Sequence, residues 1–110
     1  MTYAQALTAL ADPTRRQVFE QLKCGPRSVG RLADALPVSR PAVSQHLKVL
    51  REARLVRERR DGTRHIYEID PAGLGALRRW LDELWTSGLA AFQAELESDG
   101  PTREESKKEE

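Results

Sequence analysis

Short apolar stripes of helical period alternate with abrupt polar breaks along this chain, and only one segment switches to period two. Tyr3, Ala6, Leu7 and Leu10 share a helical face and predict a first helix over 3–11. Asp12-Pro13-Thr14 ends it and opens a second. Asp12 suits an N-cap, and a proline at the first helical position loses only an N–H that has no intrahelical partner. The second helix reads to about Lys23 on Val18, Phe19 and Leu22, and Cys24-Gly25-Pro26 stops it. Arg15 and Arg16 lie in its first turn, where the helix dipole does not favour cations, so they are expected to be structural or solvated. Ser28 caps a third helix whose stripe is Val29, Leu32, Ala33 and Leu36.

The other elements are arranged around Ser39 to Arg54. As a helix, this stretch places Val43, Leu47, Leu50 and Arg54 on one face, with Ala53 beside them. Pro41, Ser44, Gln45, Lys48 and Glu52 fall opposite, and Ser39 is the N-cap. A merely solvated face mixes Glu with Lys, but the exposed first two turns here carry no carboxylate. Such a face can approach phosphates and base edges. Pro37-Val38 is too short a turn to let the fourth helix wander, so the third and fourth helices meet steeply, in a helix-turn-helix layout.

The period then changes. Val56–Arg60 and Arg64–Ile69 predict two strands joined by Asp61-Gly62-Thr63, because Asp-Gly is a strong hairpin signal. His65, Tyr67 and Ile69 share one face of the second strand, and Ile66 and Glu68 the other. A two-stranded ribbon is marginal alone and must lean on the helices. A basic ribbon directly after a reading helix is a wing. Asp70-Pro71 opens a last helix, to about Glu97, with Leu74, Leu77, Leu81, Leu84, Trp85, Phe92 and Leu96 on its apolar side. It would span roughly 40 Å, more than a domain of this size covers. Gly73 and Gly75 weaken its start, and Thr86-Ser87-Gly88 is a candidate kink. The surplus apolar length, including Trp80, most simply packs on a second copy with the first helix alongside. The expected architecture is therefore mainly α with a two-stranded β-hairpin wing, in the order α1-α2-α3-α4-β-β-α5. Residues 1–97 form a DNA-binding and dimerisation domain, and 98–110 a disordered charged tail.

Composition narrows the function. With 110 residues, 39% hydrophobic and 32% charged, the chain supports one core and reads as a globular cytoplasmic protein. No apolar run nears the roughly 20 residues of a membrane span, and the N-terminus does not read as a signal peptide. The single cysteine excludes an intrachain disulfide or a multi-cysteine zinc site. Its two histidines and one cysteine lie on separate predicted elements, with no glycine-rich phosphate loop, so neither an enzyme nor a cofactor is expected. The net charge of +1 conceals a basic centre: ten cations face four anions between Arg27 and Tyr67, which suggests a polyanion-binding face. On the fourth helix, Gln45 can pair bidentately with adenine, Ser44 can serve either base type and Arg40 can reach a guanine.

In order and wording, ADPTRRQVFEQL, SVGRLADALPVSRPAVSQHLKVLREARLV and RERRDGTRHIYEI resemble the ArsR family of bacterial winged helix-turn-helix repressors. The resemblance covers about Leu7 to Leu84, and VSQHLKVLREARLV is its most specific part. It implies a homodimer on a palindromic double-stranded DNA operator. Base contacts would come from Ser44 and Gln45, with Arg40 and Pro41 at the start of the helix, Lys48 toward phosphate, and Arg59, Arg60 and Arg64 on the wing. His46, between the core and DNA faces, is as suited to packing as to contacting DNA. The dimer surface would comprise Tyr3, Leu7, Leu10, Leu77, Trp80, Leu81, Leu84, Trp85 and Phe92. Metal-sensing relatives carry a Cys-Val-Cys type motif in the third helix, where this chain has Ser28-Val29-Gly30-Arg31-Leu32, so no metal site is expected. Any inducer is unknown. The alternatives are a redox- or small-molecule-responsive regulator of the same fold using Cys24, and a winged-helix protein-interaction module without DNA.

Overall fold

A computed structural model describes residues 3–109 of the chain, with side chains over 3–98. The order is α1 (Tyr3–Ala11), α2 (Pro13–Glu20), a 3-10 turn (Gln21–Cys24), β1 (Arg27–Ser28), α3 (Val29–Ala35), α4 (Arg40–Glu52), β2 (Val56–Asp61), β3 (Arg64–Ile69) and α5 (Pro71–Glu109). The chain divides into two units, Met1–Arg78 and Arg79–Glu110. The first is a winged helix-turn-helix. The tail expected over 98–110 lies, apart from Ser98, beyond the residues whose side chains are described; the bounds of α5 itself run to Glu109 without a break at Gly88.

Local chemistry sets the helix starts. The Asp12 carboxylate accepts from the Arg15 N–H at 3.0 Å, and the Ser28 and Ser39 hydroxyls accept from Arg31 and Ala42 at 3.3 Å each. Each cap satisfies one of the donors a helix leaves open at its first turn. Arg15 and Arg16 prove structural: they reach back six residues to the Ala9 and Leu10 carbonyls at 3.1 and 2.7 Å and tie α2 to the end of α1. Val18, Leu32, Val43, Leu47, Leu50 and Leu55 are fully buried and make one core under α4. At about 1.5–3 kcal/mol per buried side chain, this apolar cluster dominates the stability of the first unit.

One expectation is corrected by the end of α4. Arg54 does not continue the apolar face of α4, because the helix stops at Glu52 and Arg54 turns left-handed at φ 61°. Its N–H donates to the Arg51 carbonyl at 3.0 Å and that of Leu55 to the Leu50 carbonyl at 2.9 Å, the paired closure usually built on glycine. The glycine of this junction is elsewhere. Gly73, in the first turn of α5, donates to the Arg54 carbonyl at 2.7 Å, and a Cβ there would stand 2.4 Å from that oxygen. The expected hairpin is present as β2 and β3, and a short further strand joins it, giving the order β1-β3-β2. Arg27 pairs with Tyr67 and Ser28 with Ile66, both antiparallel, so the root of the wing is sewn to the segment that leads into α3. The hairpin loop is Gly62-Thr63, since Asp61 pairs with Arg64 inside the ladder. Gly62 has φ 67° and is the only positive-φ residue in the loop, as in a turn with glycine first.

Candidate nucleic-acid interface

Ser39 and Pro41 start α4 so that Pro41, Ser44, Gln45 and Lys48 stand exposed, while Val43, Leu47 and Leu50 are fully buried. Arg40 leans toward α3: its guanidinium lies over Gly30, where an added Cβ would meet Nη2 at 2.7 Å. A concavity of about 670 Å³ runs from this point to the wing, lined by Gly30, Arg40, Pro41 and Ser44 on the helices and by Arg64, His65 and Tyr67 on β3. No carboxylate lines it. The structure thus gathers Arg40, Pro41, Ser44 and Arg64, four of the residues expected at the DNA face, around one hollow. Gln45 and Lys48 lie outside that lining but are exposed on the same helix.

His46 is set differently. It is half-buried, and its charge is the smallest of the influences holding the Asp12 carboxyl below its ordinary value, after the Arg15 N–H and the Arg15 guanidinium. Its surroundings therefore include the cap of α2.

The wing arginines divide by partner. Arg57 and Arg59 donate from Nε to the two oxygens of Glu68 at 2.9 and 3.3 Å, and these bonds, Arg57 first, hold Glu68 below the usual carboxylate range. Arg60 and Arg64 have no carboxylate partner among the described residues. Sequence reasoning missed Glu58. It stands on β2 opposite Tyr67, accepts from the Arg51 guanidinium of α4 at 2.6 Å, and also meets His65 Nδ1. The hydrogen bond from His65 is the main cause of its lowered pKa; Tyr67 is pushed up by burial and then by the charge of Glu58. A single carboxylate thus ties the last turn of α4 to both strands of the wing. The one available signal was an acidic residue amid four arginines at a position diagonal to His65.

In the second unit, Leu81, Leu84, Trp85, Leu89, Phe92 and Leu96 are all exposed, Trp85 at 68%. Leu89 was not among the expected interface residues. In the first unit Tyr3 and Leu7 are exposed on α1, whereas Leu10 and Leu77 are half-buried against the core. Among the described residues, no group of three or more His, Cys, Asp or Glu could hold a metal, and no helix is long and apolar enough to cross a membrane. Cys24 is exposed.

A buried helical core, a reading helix whose first two exposed turns carry no carboxylate and a basic ribbon beside it define a winged helix-turn-helix DNA-binding protein. Residues 12–58 match the family model described as bacterial regulatory protein, arsR family. Over 96 residues the chain is 56% identical to the HTH-type transcriptional regulator Rv2034 of Mycobacterium tuberculosis, covering 87% of this chain and 90% of that one. It is 32% identical over 73 residues to the transcriptional repressor SdpR of Bacillus subtilis, covering 66% and 81% of the two. Among solved structures, an ArsR-like transcriptional regulator from Rhodococcus sp. RHA1 superposes with a TM-score of 0.71 at 33% identity, over 84% of this chain and 90% of that one. The chain belongs to the ArsR family of bacterial transcriptional regulators, which are not enzymes.

Proposed function

We propose that this regulator acts as a homodimer on a palindromic operator and represses transcription by covering promoter DNA. The observation that carries the reading is the hollow in which Arg40, Pro41 and Ser44 face Arg64 with no carboxylate between them. Phosphates take the arginines and Lys48, releasing counterions and giving affinity that falls with salt. Base edges take Ser44 and Gln45, with Gln45 matched to adenine and Arg40 within the chemistry of guanine. One subunit supplies two or three base contacts worth roughly 1–3 kcal/mol each, too few for a useful specificity ratio. A dimer doubles them and requires half-sites about one helical turn apart.

The apolar row Leu81, Leu84, Trp85, Leu89 and Phe92 supports pairing, because exposed leucines and aromatics at helical spacing disfavour an isolated subunit in water. Tyr3, Leu7 and Leu10 of α1, with Leu77 and Trp80, are proposed to contribute to pairing as well. Gel shift with a duplex from immediately upstream of the chain's own gene tests the reading. Retarded complexes that dissolve as salt rises are expected. Equal affinity for that duplex and for random sequence would reduce the protein to a non-specific binder.

A further inference from the structure

A second basic hollow opens beside the first and shares Ser28 and Arg64 with it. Its volume is about 280 Å³, and Cys24, Arg27, Ser28, Arg31, Arg64 and Ile66 are among the residues that line it. Three arginines converge there and no carboxylate does. That grouping is unusual for this molecule: Arg15, Arg51, Arg57 and Arg59 each face an acid, and Arg16 donates to a carbonyl. The cluster is held in place. Arg27 lies on β1 opposite Tyr67 and its Nε donates to the Gln21 carbonyl at 3.0 Å, which fixes the plane of the guanidinium. Arg64 arrives from β3 and Arg31 from α3. Three cations drawn together without a counter-charge repel one another, so an anion bridging them gains from all three.

We infer that this hollow binds a phosphate of the DNA backbone, extending the interface past the root of the wing to Arg27 and Arg31. Continuity favours a backbone phosphate over a free anion. Ser28 and Arg64 line both hollows, so a strand lying against Arg40 and Ser44 meets the second hollow with no acidic side chain lining either. This inference rests on the DNA-binding reading and adds two residues to it. They position the duplex and read no base.

The test compares salt dependence of duplex binding by the full chain and by Arg31→Gln, a variant chosen because Arg31 is exposed on α3. Arg27→Gln is the second variant. Each should lower affinity by a similar factor on the upstream duplex and on random duplex, and reduce the slope of log affinity against log salt by about 1. The single thiol gives an independent readout on the unaltered chain. Bound duplex should slow alkylation of Cys24 several-fold, while inorganic phosphate at the same ionic strength should leave it unchanged. Unaltered slopes in both variants, with the parent chain still binding, would overturn the inference alone. Protection of Cys24 by phosphate and not by duplex would do the same and reassign the hollow to a small anion. No binding of any duplex by the parent chain would remove the inference and the reading together.

Discussion

At the scale of single residues, position 45 carries the sharpest functional expectation. Gln45→Ala should cost roughly 1–3 kcal/mol of discrimination between the upstream duplex and random DNA, read by competition, with little change in salt slope. Equal loss on both duplexes would mean that Gln45 reads no base. Two backbone positions carry expectations about stability. Gly73→Ala should destabilise by about 1–3 kcal/mol in urea unfolding, because the new methyl meets the carbonyls of Arg54 and Ala53 at 2.4 and 2.6 Å, and main chain cannot swing aside as a side chain can. Arg54→Gly should stabilise by about 1 kcal/mol, since a left-handed conformation is strained for arginine and free for glycine. Periodicity placed Arg54 on the apolar face of α4 because it continues the i, i+4 row from Leu50. Nothing local marked the stop, as the usual glycine is absent. Asp12 and Ser39 were legible for the opposite reason: a cap and a following proline are recorded in the residue types themselves.

At the scale of elements, Glu58 joins the reading helix to the wing, and Glu68 joins the two strands of the wing to each other. Glu58 and Glu68 both lie below the ordinary value of 4.5 in the folded chain, Glu58 chiefly through the hydrogen bond from His65 and Glu68 chiefly through that from Arg57. A depressed carboxylate favours the folded state above its unfolded pKa, and that contribution is lost as pH falls through the lower folded value. Stability should therefore decline below about pH 4.5 as these pairs protonate. Glu58→Gln should flatten that acid slope, which urea midpoints measured at neutral and acid pH would show; parallel slopes in variant and parent would exclude Glu58 from the linkage. Sequence patterning found the two long strands because Val56–Arg60 and Arg64–Ile69 alternate around an Asp-Gly signal. It could not find β1, since two residues have no period and Arg27-Ser28 becomes a strand only by pairing with Tyr67 and Ile66. The arginine hollow was invisible for the same reason: Arg27, Arg31 and Arg64 meet through that pairing, not through spacing along the chain.

At the scale of the whole molecule, the proposed function depends on two copies acting together. The row from Leu81 to Phe92 was readable as surplus apolar length because a helix that long outruns the core available to it. Trp85→Glu should shift the chain toward single subunits in sedimentation and weaken operator binding more than any one base-contact variant, since it removes the second half-site rather than one contact. Sedimentation velocity of the full chain titrated onto one duplex from its own upstream region, at low salt, addresses the central claim most directly. Two copies per duplex at saturation, bound without a populated one-copy intermediate, is the predicted result. A single copy on each duplex, or a chain that sediments alone beside free DNA, would contradict it.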